Sequence, residues 1–381
     1  PPPSPVLAMA LRSLCRQLLS VVVVCVAVLV GYILRSPMPL ATFFWLAHQP
    51  LWYKTTPTPA VPKEMRPLPR PEGELFLTLP GGEQMPANGL GTCCRATAYH
   101  DESVRRTILW YLLQGGRHID TADLYLNHRA IGEGIRMAMR RGVPRSEIFV
   151  TTKIPPDFFG TDNAEMWMER VLDELGLEYV DLVLLHSPRR WMGVVGGIDE
   201  FKACCGCDSP KECRQQTWRV LSAARDKGLV RNIGTSNFAI HQLDELLYLK
   251  LAPIAVNQLQ YHPWVPDWEE GIADHCRKHG IHLTAYFSLG GAINRGYTDL
   301  VDDIKEIGKA HNASASQVLL RWGLQRGLSV IPGTGNPAHM RQNLDVYGFS
   351  LSDAEMERIK EVGQDKDFSS KFMYFKMDPS L

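Results

Sequence analysis

The chain has 381 residues, 45% hydrophobic and 22% charged, an ordinary globular balance that excludes a wholly disordered, collagenous or mucin-like protein. Lys and Arg number 41 and Asp and Glu also 41, so no general electrostatic preference for nucleic acid or an anionic surface follows from the balance. Nine cysteines are too few for a small disulfide scaffold, and the length suggests roughly two to three domains.

The first element is the run Leu18 to Leu34, which carries no charge and is broken only by Ser20, Cys25, Gly31 and Tyr32. About 17 residues at about 1.5 Å each reach roughly 25 Å, the short end of a spanning helix. Without an amphipathic period it reads as a single-pass signal anchor, then as a cleaved signal or transit peptide, and last as a buried core helix. Arg12 and Arg16 before the run and Arg35 after it place the N-terminus in the cytoplasm and the remainder in a lumen by the positive-inside bias. Residues 1–17 form a leader, in which Met9 is a more natural start than Pro1. Residues 35–73 follow as a linker whose stretch from Thr56 to Gly73 is rich in proline, an extended semi-rigid spacer with no packed core of its own.

From residue 74 to 381 short β-rich runs alternate with helical ones. A hairpin turned at Gly81-Gly82 comes first. Strands are predicted at Gly89–Cys93, His118–Ala122, Ile148–Ile154, Val180–His186, Val230–Ser236, Ile254–Gln260, His282–Leu289 and Leu328–Thr334. Helical patterns such as ESVRRTILWYLLQG lie between them, and Ser314 to Gln317 has the form of a capping box, with Gly327 placed to end that helix. Eight such units predict an α/β fold, a closed (β/α)8 TIM barrel capped by the N-terminal hairpin. No G-x-G-x-x-G follows the first strand, which disfavours an open dinucleotide-binding sheet.

In such a barrel the chemistry sits at the C-terminal strand ends. Asp120 and Tyr125 close the second strand, Lys153 ends the third and His186 the fourth. Each alone has a bland reading, as helix cap, rim aromatic, solvated end or satisfied imidazole. Together they permit proton donation by a phenol, because a neighbouring Lys cation favours the phenolate and lowers a pKa that is ordinarily near 10. Asp120 can hold that Lys, and a His beside the phenol can orient a carbonyl oxygen without a metal.

At this point the sequence resembles the aldo-keto reductases. The resemblance rests on HIDTADLYLNH at His118–His128, TTKI at Thr151–Ile154, LGLEYVDLVLLHSP at Leu175–Pro188, GLVRNIGTSNF at Gly228–Phe238 and PIAVNQLQYHP at Pro253–Pro263. It implies Tyr125 as general acid, Lys153 and Asp120 as its tuning partners and His186 as the substrate-orienting residue. It also implies NADPH or NADH as cofactor, with Ser236, Asn237, Gln258 and Tyr286 at the nicotinamide and Thr334 and Asn343 at the adenosine end. Where the family usually carries a lysine and an arginine for a 2′-phosphate, this chain has Gly333 and His339, with Arg341 nearby, which puts a preference for the phosphorylated cofactor in doubt.

The expected activity is reduction of a small aldehyde or ketone by a monomeric barrel attached to a membrane through residues 18–34. The rival is a non-catalytic dinucleotide-binding barrel acting as regulator or scaffold at a membrane. The loop from Arg189 to Thr217 carries Cys204, Cys205, Cys207 and Cys213 and is expected to overhang the site. Disulfides, free thiols or a zinc site are all open for it, the last disfavoured because paired C-x-x-C sets are missing. Cys93 stands where many relatives place a bulky aromatic, so a wider or differently polar pocket is expected there. In a lumen the cysteines can pair, and Asn312-Ala313-Ser314 offers a glycosylation sequon.

Overall fold

The computed structural model describes residues 57–93, 100–189, 206–265, 271–290 and 298–363. The run at 18–34 therefore lies outside the described residues, as do Cys204, Cys205 and most of the loop around them; among the described residues no helix is long and apolar enough to cross a membrane.

A two-stranded hairpin, β1 (Phe76–Thr78) and β2 (Gln84–Pro86), precedes the barrel, and its turn carries Gly82 at φ 91°, a left-handed conformation that glycine adopts without strain. Eight parallel strands follow: β3 (Leu90–Gly91), β4 (His118–Asp120), β5 (Phe149–Ile154), β6 (Val180–Leu185), β7 (Val230–Ser236), β8 (Ile254–Gln260), β9 (His282–Tyr286) and β10 (Ser329–Val330). They pair in chain order. A parallel bridge between Asn88 and Val330, with the Gly89 amide donating to the Val330 carbonyl at 2.8 Å, brings the last strand back to the first and closes the barrel. Strands β5, β6 and β8 are buried along their whole length, as expected of strands covered on both faces.

Several predicted strands are shorter in the structure. The last one stops at Val330 because the Ile331 amide donates to Ser288 Oγ and Pro332 has no amide proton to offer the ladder. Strand β9 stops at Tyr286 because Phe287 takes a left-handed φ of 56°. Strand β7 shifts register against β8 around Gly234, where a Cβ would lie 2.4 Å from the Val256 carbonyl oxygen, so glycine is required at that close approach.

The outer ring contains α1 (Asp101–Leu113), α2 (His128–Met139), α3 (Thr161–Leu175), α4 (Pro210–Asp226), α5 (Ile240–Leu247), α6 (Ile272–Lys278), α7 (Thr298–Ala310), α8 (Ala315–Gln325), α9 (Pro337–Leu344) and α10 (Asp353–Gly363). The predicted capping box is present at α8, where Ser314 Oγ accepts from the Gln317 amide and Gln317 Oε1 accepts from the Ser314 amide. The large apolar core lies between these helices and the strands.

A second apolar cluster positions the site. Leu79 and Met85 of the hairpin region pack with Phe149, Leu182, Leu184, Ala255 and Val256, of which Phe149 opens β5 and Ala255 is the second residue of β8. The hairpin thus plugs the N-terminal mouth with apolar bulk, as predicted for a cap, and leaves the opposite mouth for chemistry. The described part of the proline-rich stretch, expected as a free spacer, lies against the barrel. Thr58 is buried and its Oγ1 lies 3.0 Å from that of Thr107 on α1, the Trp110 indole donates to the Pro59 carbonyl, and the Leu68 amide donates to Leu113 O. Its backbone makes few hydrogen bonds of its own, such as the Met65 amide to the Pro62 carbonyl, and finds further partners along α1, so this part of the spacer is a strap on the barrel.

Candidate active site

Strand β4 ends at Asp120, and the chain then turns through a short 3-10 segment, Asp123–Tyr125, that carries the phenol past the strand end where the sequence had placed it. Strand β5 brings in Lys153, fully buried where a solvated strand end was one reading. Its Nζ donates to Asp120 Oδ1 at 2.6 Å, to the Thr121 carbonyl at 2.9 Å and to the Tyr125 hydroxyl at 3.3 Å. Burial lowers the Lys153 pKa while the Asp120 carboxylate, next in weight, works to keep the ammonium charged. His186 follows β6, and its ring meets that of Tyr125 edge to face at 5.8 Å between centroids. Burial, then the Lys153 charge, hold the His186 pKa well below 6.5, so at neutral pH it is an uncharged imidazole able to donate one N–H and accept at the other nitrogen.

The four side chains predicted to work together are therefore assembled at one strand-end layer. Next to them Gln258 Nε2 donates to Asp120 Oδ2 at 2.8 Å, so both carboxylate oxygens are engaged, one by the ammonium and one by an amide. Asn237, at a left-handed φ of 63°, donates from Nδ2 to the His186 carbonyl and to Ser236 Oγ, and its Oδ1 accepts from the Tyr286 hydroxyl at 2.9 Å. Ser236, Asn237, Gln258 and Tyr286 thus form a contiguous polar wall beside the phenol. Two amides, a hydroxyl and an aromatic ring are the donor set that holds a planar carboxamide and covers a nicotinamide face, so these residues fit the dinucleotide. Thr334 and Asn343 stand apart from this network. Thr334 Oγ1 accepts from the Asn336 amide after β10, and the Asn343 carbonyl on α9 accepts from Asn88 Nδ2.

Positioning partners that sequence reasoning missed surround the Tyr125 turn. Asp123 Oδ1 accepts from the Trp167 indole and from Arg170 on α3. Thr121 Oγ1 donates to Asn127 Oδ1, and Asn127 Nδ2 donates to the Thr92 carbonyl. These residues clamp both sides of the turn. No local pattern marks Asp123 or the acceptor of Asn127, because Trp167, Arg170 and Thr92 lie far from them along the chain.

Cys207 and Cys213 are joined by a disulfide that pins the approach to α4, which resolves two of the four loop cysteines in favour of the disulfide reading. Cys93 is disulfide-bonded as well.

Against known proteins, the model of the Aldo/keto reductase family matches residues 87–364. The chain belongs to the aldo/keto reductase family. It is 35% identical to a 9,11-endoperoxide prostaglandin H2 reductase of Trypanosoma cruzi over 76% of this chain and 92% of that one. It is 36% identical to a morphine 6-dehydrogenase of Pseudomonas putida over 75% of this chain and 90% of that one. Among solved structures it resembles a Bombyx mori aldo-keto reductase in complex with NADP, with TM-score 0.68 and 28% identity over 82% of this chain and 96% of that one. This aldo/keto reductase is accordingly an NAD(P)-dependent oxidoreductase that reduces small carbonyl compounds, and the non-catalytic reading is not favoured.

Proposed function

We propose that Tyr125 is the proton donor in reduction of an aldehyde or ketone to the alcohol, with Lys153, Asp120 and His186 in the roles expected of them. The observation that carries this is the bond from the buried Lys153 ammonium to the Tyr125 hydroxyl. An ammonium beside a phenol favours the phenolate left when the proton goes. Asp120 holds the ammonium in place, and the neutral His186 donates a hydrogen bond that orients the carbonyl oxygen toward the phenol. When bound, the dinucleotide supplies the hydride taken up by the carbonyl carbon. Ser236, Asn237, Gln258 and Tyr286 would hold its nicotinamide end, and Thr334 and Asn343 would receive the adenosine end. Assaying the purified full chain with a panel of aldehydes and ketones and both cofactors tests the reading, and absence of turnover with every pair overturns it.

The chain's departures bear on cofactor choice. Gly333 and His339 stand where two cations are usual, and His339 and Arg341 are both exposed on α9. Residues two apart on a helix do not share a face, so Arg341 does not replace a cation at position 339. Discrimination between NADPH and NADH is therefore expected to be weak, and Gly333→Lys to tighten NADPH selectively by about 1 kcal/mol or more. Fluorescence titration of both cofactors on both proteins checks this; a thousandfold preference for NADPH in the wild type sinks it.

For location we propose that residues 18–34 anchor the protein with the barrel in an oxidising lumen. The uncharged run, its flanking arginines, the Cys207–Cys213 disulfide and the exposed Asn312 of the sequon support this. Carbonate extraction, protease protection and a glycosidase mobility shift in eukaryotic cells test it. A protease-accessible, unglycosylated barrel on the membrane reverses the topology, and release by carbonate discards the anchor.

A further inference from the structure

Among the described residues, two clusters of metal-ligating side chains lie outside the reacting groups, and they differ in one respect. Asp123, His128 and Glu174 are fully engaged with protein: His128 contacts Glu174 through Nδ1 and Thr152 through Nε2, while Asp123 accepts from Trp167 and Arg170. That cluster is closed by its own hydrogen bonds. Asp244, His275 and His279 are different. His275 lies in α6 and His279 caps its end, four residues on, so the two imidazoles stack on one helical face with ring centroids 4.6 Å apart. Asp244 reaches them from α5. The half-buried His275 places Nε2 3.1 Å from Asp244 Oδ1, yet that buried nitrogen makes no hydrogen bond.

A nitrogen and a carboxylate oxygen so close without hydrogen-bond alignment are spaced as two ligands of one ion. Tetrahedral zinc with bonds of about 2.0–2.2 Å separates its ligands by about 3.3 Å. One ligand atom from each of the three residues already lies within 4.8 Å of the others, and rotation of the exposed His279 closes the difference. We propose that Asp244, His275 and His279 bind one divalent transition-metal ion of the zinc type. Two imidazoles and one carboxylate favour such ions over magnesium or calcium, which take mainly oxygen ligands. Asp244 and His279 are exposed, so the fourth position faces solvent. The ion ties α5 to α6, the helices that follow β7 and β8, and those strands carry Ser236 and Gln258. Its role is to brace the outer wall behind the nicotinamide residues, and no hydride or proton step runs through it.

Calorimetric titration of the tag-free, chelator-stripped full chain with zinc chloride tests the site, with thermal unfolding as a second readout. One equivalent and a raised Tm are expected in the wild type. In His279→Gln and Asp244→Asn, both exposed positions where the fold has no reason to suffer, affinity is expected to fall at least about tenfold and the Tm gain to vanish. Wild-type affinity in either variant, or no equivalent bound by the wild type below millimolar zinc, overturns the proposal.

Discussion

Replacing Tyr125 with Phe is expected to abolish turnover while leaving dinucleotide affinity nearly unchanged. The substitution removes the hydroxyl that accepts from Lys153 and keeps the ring that meets His186 edge to face. General-acid catalysis is worth roughly 10²–10⁴-fold, so kcat should fall by at least about 10²-fold. The loss belongs in kcat, because the proton moves only as the carbonyl is reduced and the polar wall of Ser236, Asn237 and Gln258 is untouched. Steady-state kinetics with the best carbonyl substrate, beside a cofactor titration on the same preparation, separate the two effects. Retained turnover removes Tyr125 from the mechanism; lost cofactor binding turns the result into a packing effect.

The second large effect is expected from Lys153→Met, on stability as well as on activity. Lys153 and Asp120 form a wholly buried pair at 2.6 Å, and removing one partner of such a pair typically costs about 3–5 kcal/mol because the other charge is left without compensation. With the ammonium gone, Asp120 keeps one hydrogen bond, from Gln258, and its buried charge is left without compensation. The stability deficit of Lys153→Met should shrink in the double variant Lys153→Met with Asp120→Asn, which leaves no charge behind. Denaturant unfolding at pH 7 measures this. A single variant as stable as wild type at pH 7, or one not rescued by the second substitution, dismisses the buried pair as the cause.

The polar assembly was legible in the sequence where local order maps onto barrel geometry. Asp120, Lys153 and His186 fall at the ends of consecutive strands, and a parallel barrel places those ends in one layer, so alternation of strand and helix was enough to bring them together. Ser236, Asn237 and Gln258 were recovered through long motifs that keep their order. Thr334 and Asn343 came from the same resemblance, and the structure leaves them outside the hydrogen-bonded network that joins the others.

By itself the sequence determined the eight-strand alternation, the hairpin, the capping box at Ser314 and the residue types at the mouth, because hydrophobic period, turn chemistry and caps act over a few residues. Only the tertiary structure decided that Lys153 is fully buried and that Gln258 holds the second oxygen of Asp120. It also decided that Arg170 and Trp167 clamp Asp123, that Cys207 pairs with Cys213, and that the proline-rich stretch lies against α1. Each of those is a contact between segments distant along the chain. Burial and pairing are set by which surfaces the closed barrel brings within a few ångströms, and no spacing along the chain encodes that distance.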